Sequence, residues 1–319
     1  MSRMRRASCA LAANLFVAPV ALAQQPAPAS SRGWFDYDHK QSLDIQETTR
    51  YERPGCTVVD LTYATPKGGR VPAFLVIPKG TGPFAAILFG HWGGGNRTEF
   101  LPEAELYAQV GVVSLLPDYP WDRPEPWHRA LSFAPDSDKE SYVQAAVDMR
   151  RGLDLLLVRS DVDARRVAYV GHSYGAQWGA ILAAVDRRFK TAILVGGTPT
   201  LRDVFEGPPT AEFRKRLKPG QLEKYLDVNR PLDAINFVGL AAPIPLFFQF
   251  ATFEQNFSRA AMDRLYEAAR EPKSVAWYDT GHDLNDPKAI ADRDRWLDAQ
   301  LAIQTIRPFL EAELGLSHR

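Results

Sequence analysis

The chain has 319 residues, 45% of them apolar, with 38 Lys and Arg balanced by 38 Asp and Glu. That balance removes the electrostatic case for nucleic acid or an anionic membrane as partner. The apolar content and seven tryptophans support a large core within the size of one α/β domain.

The chain opens with the basic run "MSRMRR", continues into the apolar "CALAANLFVAPVALA" and reaches Ala21-Leu22-Ala23 before Gln24. A charged start, a short apolar stretch and a small-x-small end predict a secretory signal peptide over residues 1–23, cleaved near Ala23-Gln24. The stretch is too short, and too broken by Pro19, for a good membrane span. The expected location is therefore secreted or periplasmic, without stable membrane association after processing. Processing leaves Cys56 as the one cysteine, which excludes an internal disulfide and a cysteine metal site. No His-x-x-x-His pair or Asp-rich calcium loop suggests another metal. Residues 24–50 read as a leader and N-terminal extension, and residues 51–319 as one catalytic domain. "QQPAPASSRG" (24–33) has nothing to pack.

"CTVVDLTYAT" (56–65) and "VPAFLVIP" (71–78) flank the Gly-Gly turn of "PKGGR" and predict an antiparallel hairpin. "FAAILFG" (84–90) is a continuous apolar run, as a buried parallel strand would be. A short helix ending at Gly111, the strand "VVSLLP" and an amphipathic helix over about 141–159 follow. Strand 166–171, helix 174–186 and strand "TAILVGG" (191–197) continue the alternation. Residues 198–242 break it with a polar, proline-punctuated stretch that is either a partial lid or an ordinary long connection. Strand "IPLFFQF" (244–250), a helix near 258–270, strand "SVAWYD" (274–279) and a final helix from about Asp286 complete the set. Such alternation predicts one mostly parallel sheet with an antiparallel N-terminal hairpin and helices on both faces.

The chemistry concentrates in Gly171-His172-Ser173-Tyr174-Gly175, a G-x-S-x-G pattern between a strand and a helix. Glycines two before and two after let strand and helix approach without side-chain clash, and leave the Ser173 hydroxyl exposed on a strained turn. A serine is a poor nucleophile until a base takes its proton. His282 in "WYDTGHDLND" follows the last strand and is the base favoured by chain order, with His128 as competitor. An oxyanion needs two donors: the Tyr174 amide and one from "FGHWGGGN" (89–96), where the Trp92 amide is expected, its ring forming a pocket wall. No Lys-Ser/Thr follows that loop, so a phosphate-binding reading fails. Glu254 in "FQFATFEQNF" is the expected acid, leaving the strand between those of Ser173 and His282, with Asp203 and Asp279 as alternatives. "PDYPWDRPEPWHR" (117–129) leaves the end of a parallel strand, where ligands sit. Trp121 and Trp127 are candidate pocket walls there, and Arg123 a candidate partner for a substrate carboxylate.

Over roughly residues 56–315 the chain resembles the α/β-hydrolase family. "VPAFLVIPKGTGPFAAILFGHWGGG" is similar to the entry strands and H-G-x-G-like loop of its dienelactone hydrolase, acetyl-esterase and prolyl-oligopeptidase-type subgroups. "GHSYG" resembles the nucleophile elbow and "DTGHDLND" the histidine loop. The usual G-x-x-D acid motif is replaced by "ATFE", and the cysteine nucleophile of dienelactone hydrolases proper by Ser173. The resemblance implies a serine hydrolase acting on a small-molecule ester without cofactor. A peptidase or amidase with the same triad, or a non-catalytic binding protein on this fold, are the alternatives. The oligomeric state stays open.

Overall fold

A computed structural model describes residues 33–313; the signal-peptide reading and residues 24–32 of the leader lie outside the described residues. Nine strands form one sheet: β1 (Gln46–Arg53), β2 (Cys56–Ala64), β3 (Arg70–Pro78), β4 (Phe84–Gly90), β5 (Val112–Pro117), β6 (Val162–His172), β7 (Thr191–Val195), β8 (Leu246–Ala251) and β9 (Lys273–Tyr278). Their order across the sheet is β1-β2-β3-β5-β4-β6-β7-β8-β9. The first three strands run antiparallel to their neighbours, and every pair from β5 onward is parallel. Strands β4, β5, β7 and β8 are buried almost residue for residue, because helices cover both faces.

Helices α1 (Leu101–Gln109), α2 (Pro135–Leu157) and α3 (Tyr174–Val185) follow β4, β5 and β6. The excursion after β7 contains α4 (Leu201–Glu206), α5 (Ala211–Arg214) and α6 (Gln221–Asn229). α7 (Arg259–Ala268), α8 (Pro287–Leu301) and α9 (Arg307–Glu313) complete the chain's helices among the described residues. Leu106, Leu297 and Leu301 pack with Ile87 and Val170 on one face of the sheet. Val147, Leu153, Trp178 and Leu265 pack with Leu88 and Leu194 on the other. Each strand's alternation thus serves two cores. No described helix is long and apolar enough to cross a membrane.

Two parts of the fold differ from expectation. The extension is integral from residue 33: Phe35 is fully buried and meets Phe237 edge-on at 5.9 Å. The Arg150 guanidinium donates to the Phe35 carbonyl (2.6 Å), and the Tyr37 hydroxyl donates to Asp154 (2.8 Å). Helix α2 also starts six residues before the expected Ser141, because Pro135 suits a first helical turn. Its buried face carries Asp148, Arg150, Arg151 and Asp154, charges that mask its depth in the core.

Candidate active site

Ser173 stands where β6 turns into α3, at φ 55° and ψ −109°. A non-glycine residue rarely adopts this backbone, and the surroundings hold it there. The Ser173 amide donates to the Val195 carbonyl at 2.8 Å. A Cβ on Gly171 would come within 2.4 Å of the Gly175 carbonyl oxygen, and one on Gly175 within 2.1 Å of the Gly90 carbonyl oxygen. Those contacts explain the glycines on either side of the serine: strand, helix and the neighbouring loop meet backbone to backbone.

His282 lies on the loop after β9, with Nε2 2.9 Å from Ser173 Oγ. Its Nδ1 is 2.7 Å from Glu254 Oε2 on the loop after β8. A carboxylate only accepts, so Nδ1 carries the hydrogen and Nε2 is free to accept the serine proton. The Glu254 side chain is only 2% exposed, and its other oxygen accepts the Asn256 amide at 2.7 Å. Asp203 instead accepts from Thr200 and from Arg264 (2.6 Å), and Asp279 is exposed. Of the three acids weighed from sequence, Glu254 is the one that meets the imidazole. The competing His128 is exposed, its Nδ1 3.1 Å from the Arg123 carbonyl oxygen.

The loop after β4 is pinned by histidines and by Glu99. His91 Nδ1 donates to the Trp92 carbonyl (2.7 Å), while Nε2 accepts the Tyr119 amide (3.2 Å). Burial pushes the His91 pKa down to about 4, so the ring is neutral. The Trp92 amide, expected to be free for an oxyanion, donates to Glu99 Oε2 at 2.7 Å and is engaged. Glu99 Oε1 lies 2.6 Å from His172 Nδ1, and His172 Nε2 lies 2.9 Å from the His282 carbonyl oxygen. Glu99 and His172 thereby join the glycine-rich loop to the histidine loop. The amides of Gly93 and Tyr174 have no acceptor among the described residues.

A cleft of about 430 Å³ opens at Ser173 and His282. Trp92, 46% exposed, lines it, and Val204, Pro209 and Thr210 of the excursion add to its wall. The expected walls from the 117–129 loop are elsewhere. Trp121 is buried among Tyr119, Tyr142, Tyr174 and Trp178, its indole N–H donating to the Gly93 carbonyl at 3.0 Å. Arg123 is buried, bonded to Asp148 at 2.5 Å and to the Asp118 carbonyl. Trp127 packs over Gly69 in the hairpin turn. An aromatic, arginine-rich loop serves packing as readily as binding. Here Trp121 backs Gly93 and Tyr174 from behind, and none of Trp121, Arg123 and Trp127 lines the cleft. Sequence reasoning also missed Gln177 and Thr198, polar residues of the cleft that are almost wholly buried.

No family model and no curated protein matches the chain. Among solved structures, an acetyl xylan esterase from Paenibacillus sp. R4 superposes with a TM-score of 0.69 at 22% identity, covering 85% of this chain and 92% of that one. Acetyl xylan esterase 1 from Thermoanaerobacterium sp. JW/SL YS485 gives 0.70 at 16% identity, covering 86% and 95%. The alpha/beta hydrolase GrgF from Penicillium sp. sh18 gives 0.58 at 15% identity, covering 80% and 100%. At these identities the likeness concerns the fold, and the fold is that of the α/β-hydrolases, as the sequence led us to expect.

Proposed function

We propose that the protein is a serine hydrolase of carboxylic esters, exported after cleavage near Ala23-Gln24. The observation that carries this reading is the hydrogen-bonded chain from Ser173 through His282 to Glu254 at the floor of an open cleft. Ser173 Oγ attacks the ester carbonyl as its proton passes to His282 Nε2, and the buried Glu254 carboxylate stabilises the imidazolium that forms. The tetrahedral oxyanion meets the Tyr174 amide at the start of α3, where the helix dipole favours negative charge. Gly93 replaces Trp92 as candidate second donor, because Glu99 occupies the Trp92 amide. The carbon–oxygen bond to the leaving alcohol breaks as His282 returns the proton. Water, deprotonated by His282, then frees the acid from Ser173. Residues 198–242 act as a partial lid through the cleft wall at 204–210. The esterase names of two of the structural relatives agree with this reading.

A fluorophosphonate probe tests it. Expected is a mass increase confined to the Ser173 peptide, with turnover of simple esters abolished in step. A folded protein that neither labels nor turns over esters would instead be a binding protein on this fold. Faster turnover of matched amides than of esters would make it an amidase.

A further inference from the structure

Most polar groups around the cleft are engaged. His172 is held at both ring nitrogens, Gln255 accepts the His282 amide, and the Thr210 hydroxyl bonds carbonyls of its own turn. Two are not. Gln177 is 5% exposed, lines the cleft, and its carboxamide has no hydrogen-bond partner among the described residues. Thr198 is 2% exposed, lines the same cleft, and its hydroxyl is likewise without a partner. Buried polar groups are ordinarily satisfied, because an unmade hydrogen bond costs the full desolvation of the group. Thr198 Oγ1 is such an atom, whereas the Gln177 carboxamide still reaches the open cleft, and together they leave a patch of unengaged hydrogen-bonding groups on its wall for a ligand to meet.

Their placement says where that ligand's group sits. Gln177 is four residues beyond Ser173, one turn along α3 on the same face, and helical side chains lean back toward the N-terminus. The carboxamide is therefore within reach of a substituent close to the carbonyl that Ser173 attacks. Its chemistry says what the substituent is. A carboxamide donates and accepts, and so does a threonine hydroxyl, which matches a ligand hydroxyl that also does both. No lysine or arginine is among the residues around the cleft, so a carboxylate or phosphate on the substrate has no fixed cationic side chain to meet.

We infer that Gln177 and Thr198 form a neutral polar subsite that selects esters bearing a hydroxyl near the reacting carbonyl. This rests on the esterase reading above. The hydroxyl can belong to the acid, as in a hydroxy-acid ester, or to the alcohol, as in a polyol ester, and two substrate pairs distinguish these sources. Methyl glycolate against methyl propionate places the hydroxyl on the acid. 2-Hydroxyethyl acetate against propyl acetate places it on the alcohol. Each pair is run in competition, and its ratio of kcat/KM is divided by the ratio for alkaline hydrolysis to remove intrinsic reactivity. A competition ratio does not depend on the fraction of protein folded.

A site built to bond a substrate hydroxyl rejects the analogue lacking it strongly, so one pair should show a preference of about 10²-fold or more. Gln177→Met, which keeps length and loses both hydrogen-bonding atoms, should lower that preference to about tenfold or less. Thr198→Val should lower it independently. Corrected ratios near one for both pairs in the wild type overturn the inference, as does a preference that neither variant changes. Absence of turnover for all four esters, with Ser173 unlabelled by fluorophosphonate, would remove the esterase reading itself.

Discussion

At Ser173 the backbone holds a sparsely populated conformation, and the cost is met by close contacts that only Gly171 and Gly175 permit. That local conflict is why the proposed nucleophile elbow stands out in five residues, whereas Glu99 in a turn and Gln177 on a helix look like ordinary polar residues until the fold surrounds them. Glu254 was reachable by position in the chain, since its strand lies between those carrying the serine and the histidine. Because the acid orients the imidazole without covalent chemistry, Glu254→Gln should lower kcat by roughly 10²- to 10⁴-fold. Melting temperature should stay close to wild type; unchanged turnover in a folded variant would remove Glu254 from the proposed triad. His91 has a different task, bridging the Trp92 carbonyl and the Tyr119 amide as a neutral ring. Folding holds it neutral down to about pH 4, while the unfolded side chain takes its proton near 6.5. The unfolded state therefore binds more protons between those values, so the His91 contribution is complete above about 6.5 and is lost as pH falls toward 4. Asp122, 3.8 Å away and pushed up to about 7 by burial, changes stability in the opposite direction, so wild type must be compared with a variant. Urea unfolding at several pH values should show that the destabilisation by His91→Gln shrinks by up to about 3 kcal/mol between pH 7 and 4. A pH-independent difference would mean that His91 is not held neutral.

At the scale of elements, legibility followed burial. β4 is an unbroken apolar run and β5 and β8 are interrupted only by Ser114 and Gln249, because helices cover both faces, and such runs stand out in a sequence. β1 was missed because all eight of its residues, "QETTRYER", are exposed. It is an edge strand held by backbone pairing to β2, and its charges guard that edge against further pairing. The 117–129 loop misled for the opposite reason: its tryptophans and arginine suggested a ligand, yet they fasten elements together. Arg123 joins the end of β5 to Asp148 in the middle of α2, with both side chains almost inaccessible. Burial already raises the Asp148 carboxyl, and only Arg123 and the surrounding hydrogen bonds offset it. Arg123→Met should therefore cost about 3–5 kcal/mol, since it strands a buried charge. The relative rates for esters with and without a carboxylate should not move. A urea midpoint equal to wild type, or a selective loss on the carboxylate-bearing ester, would return Arg123 to the substrate.

The whole molecule works as one parallel rim. The 91–95 loop follows β4, Ser173 ends β6, Thr198 follows β7, Glu254 follows β8 and His282 follows β9. All leave the carboxyl ends of strands, where open α/β sheets bind ligands. The rest of the sheet and its two cores fix these loops relative to one another, and the segment from residue 33 is part of that scaffold rather than a tether. What precedes it bears on export, and the cysteines supply a direct test of it. Cys56 is fully buried on β2, and burial pushes its thiol up to about 11, with Glu105 adding to the effect. Both access and thiolate are withheld, so Cys56 should be inert toward a disulfide reagent at pH 8 while the protein is folded. Cys9 lies within the proposed signal peptide and leaves with it. Protein recovered from outside its native host's cytoplasm should therefore show no reactive thiol when native and one per chain in guanidinium chloride. Two thiols per chain in denaturant would mean that residue 9 has been retained and that cleavage near Ala23-Gln24 does not occur. A Cys56 that reacts in the native state would instead mean that the β1–β2 edge opens far more readily than its burial implies.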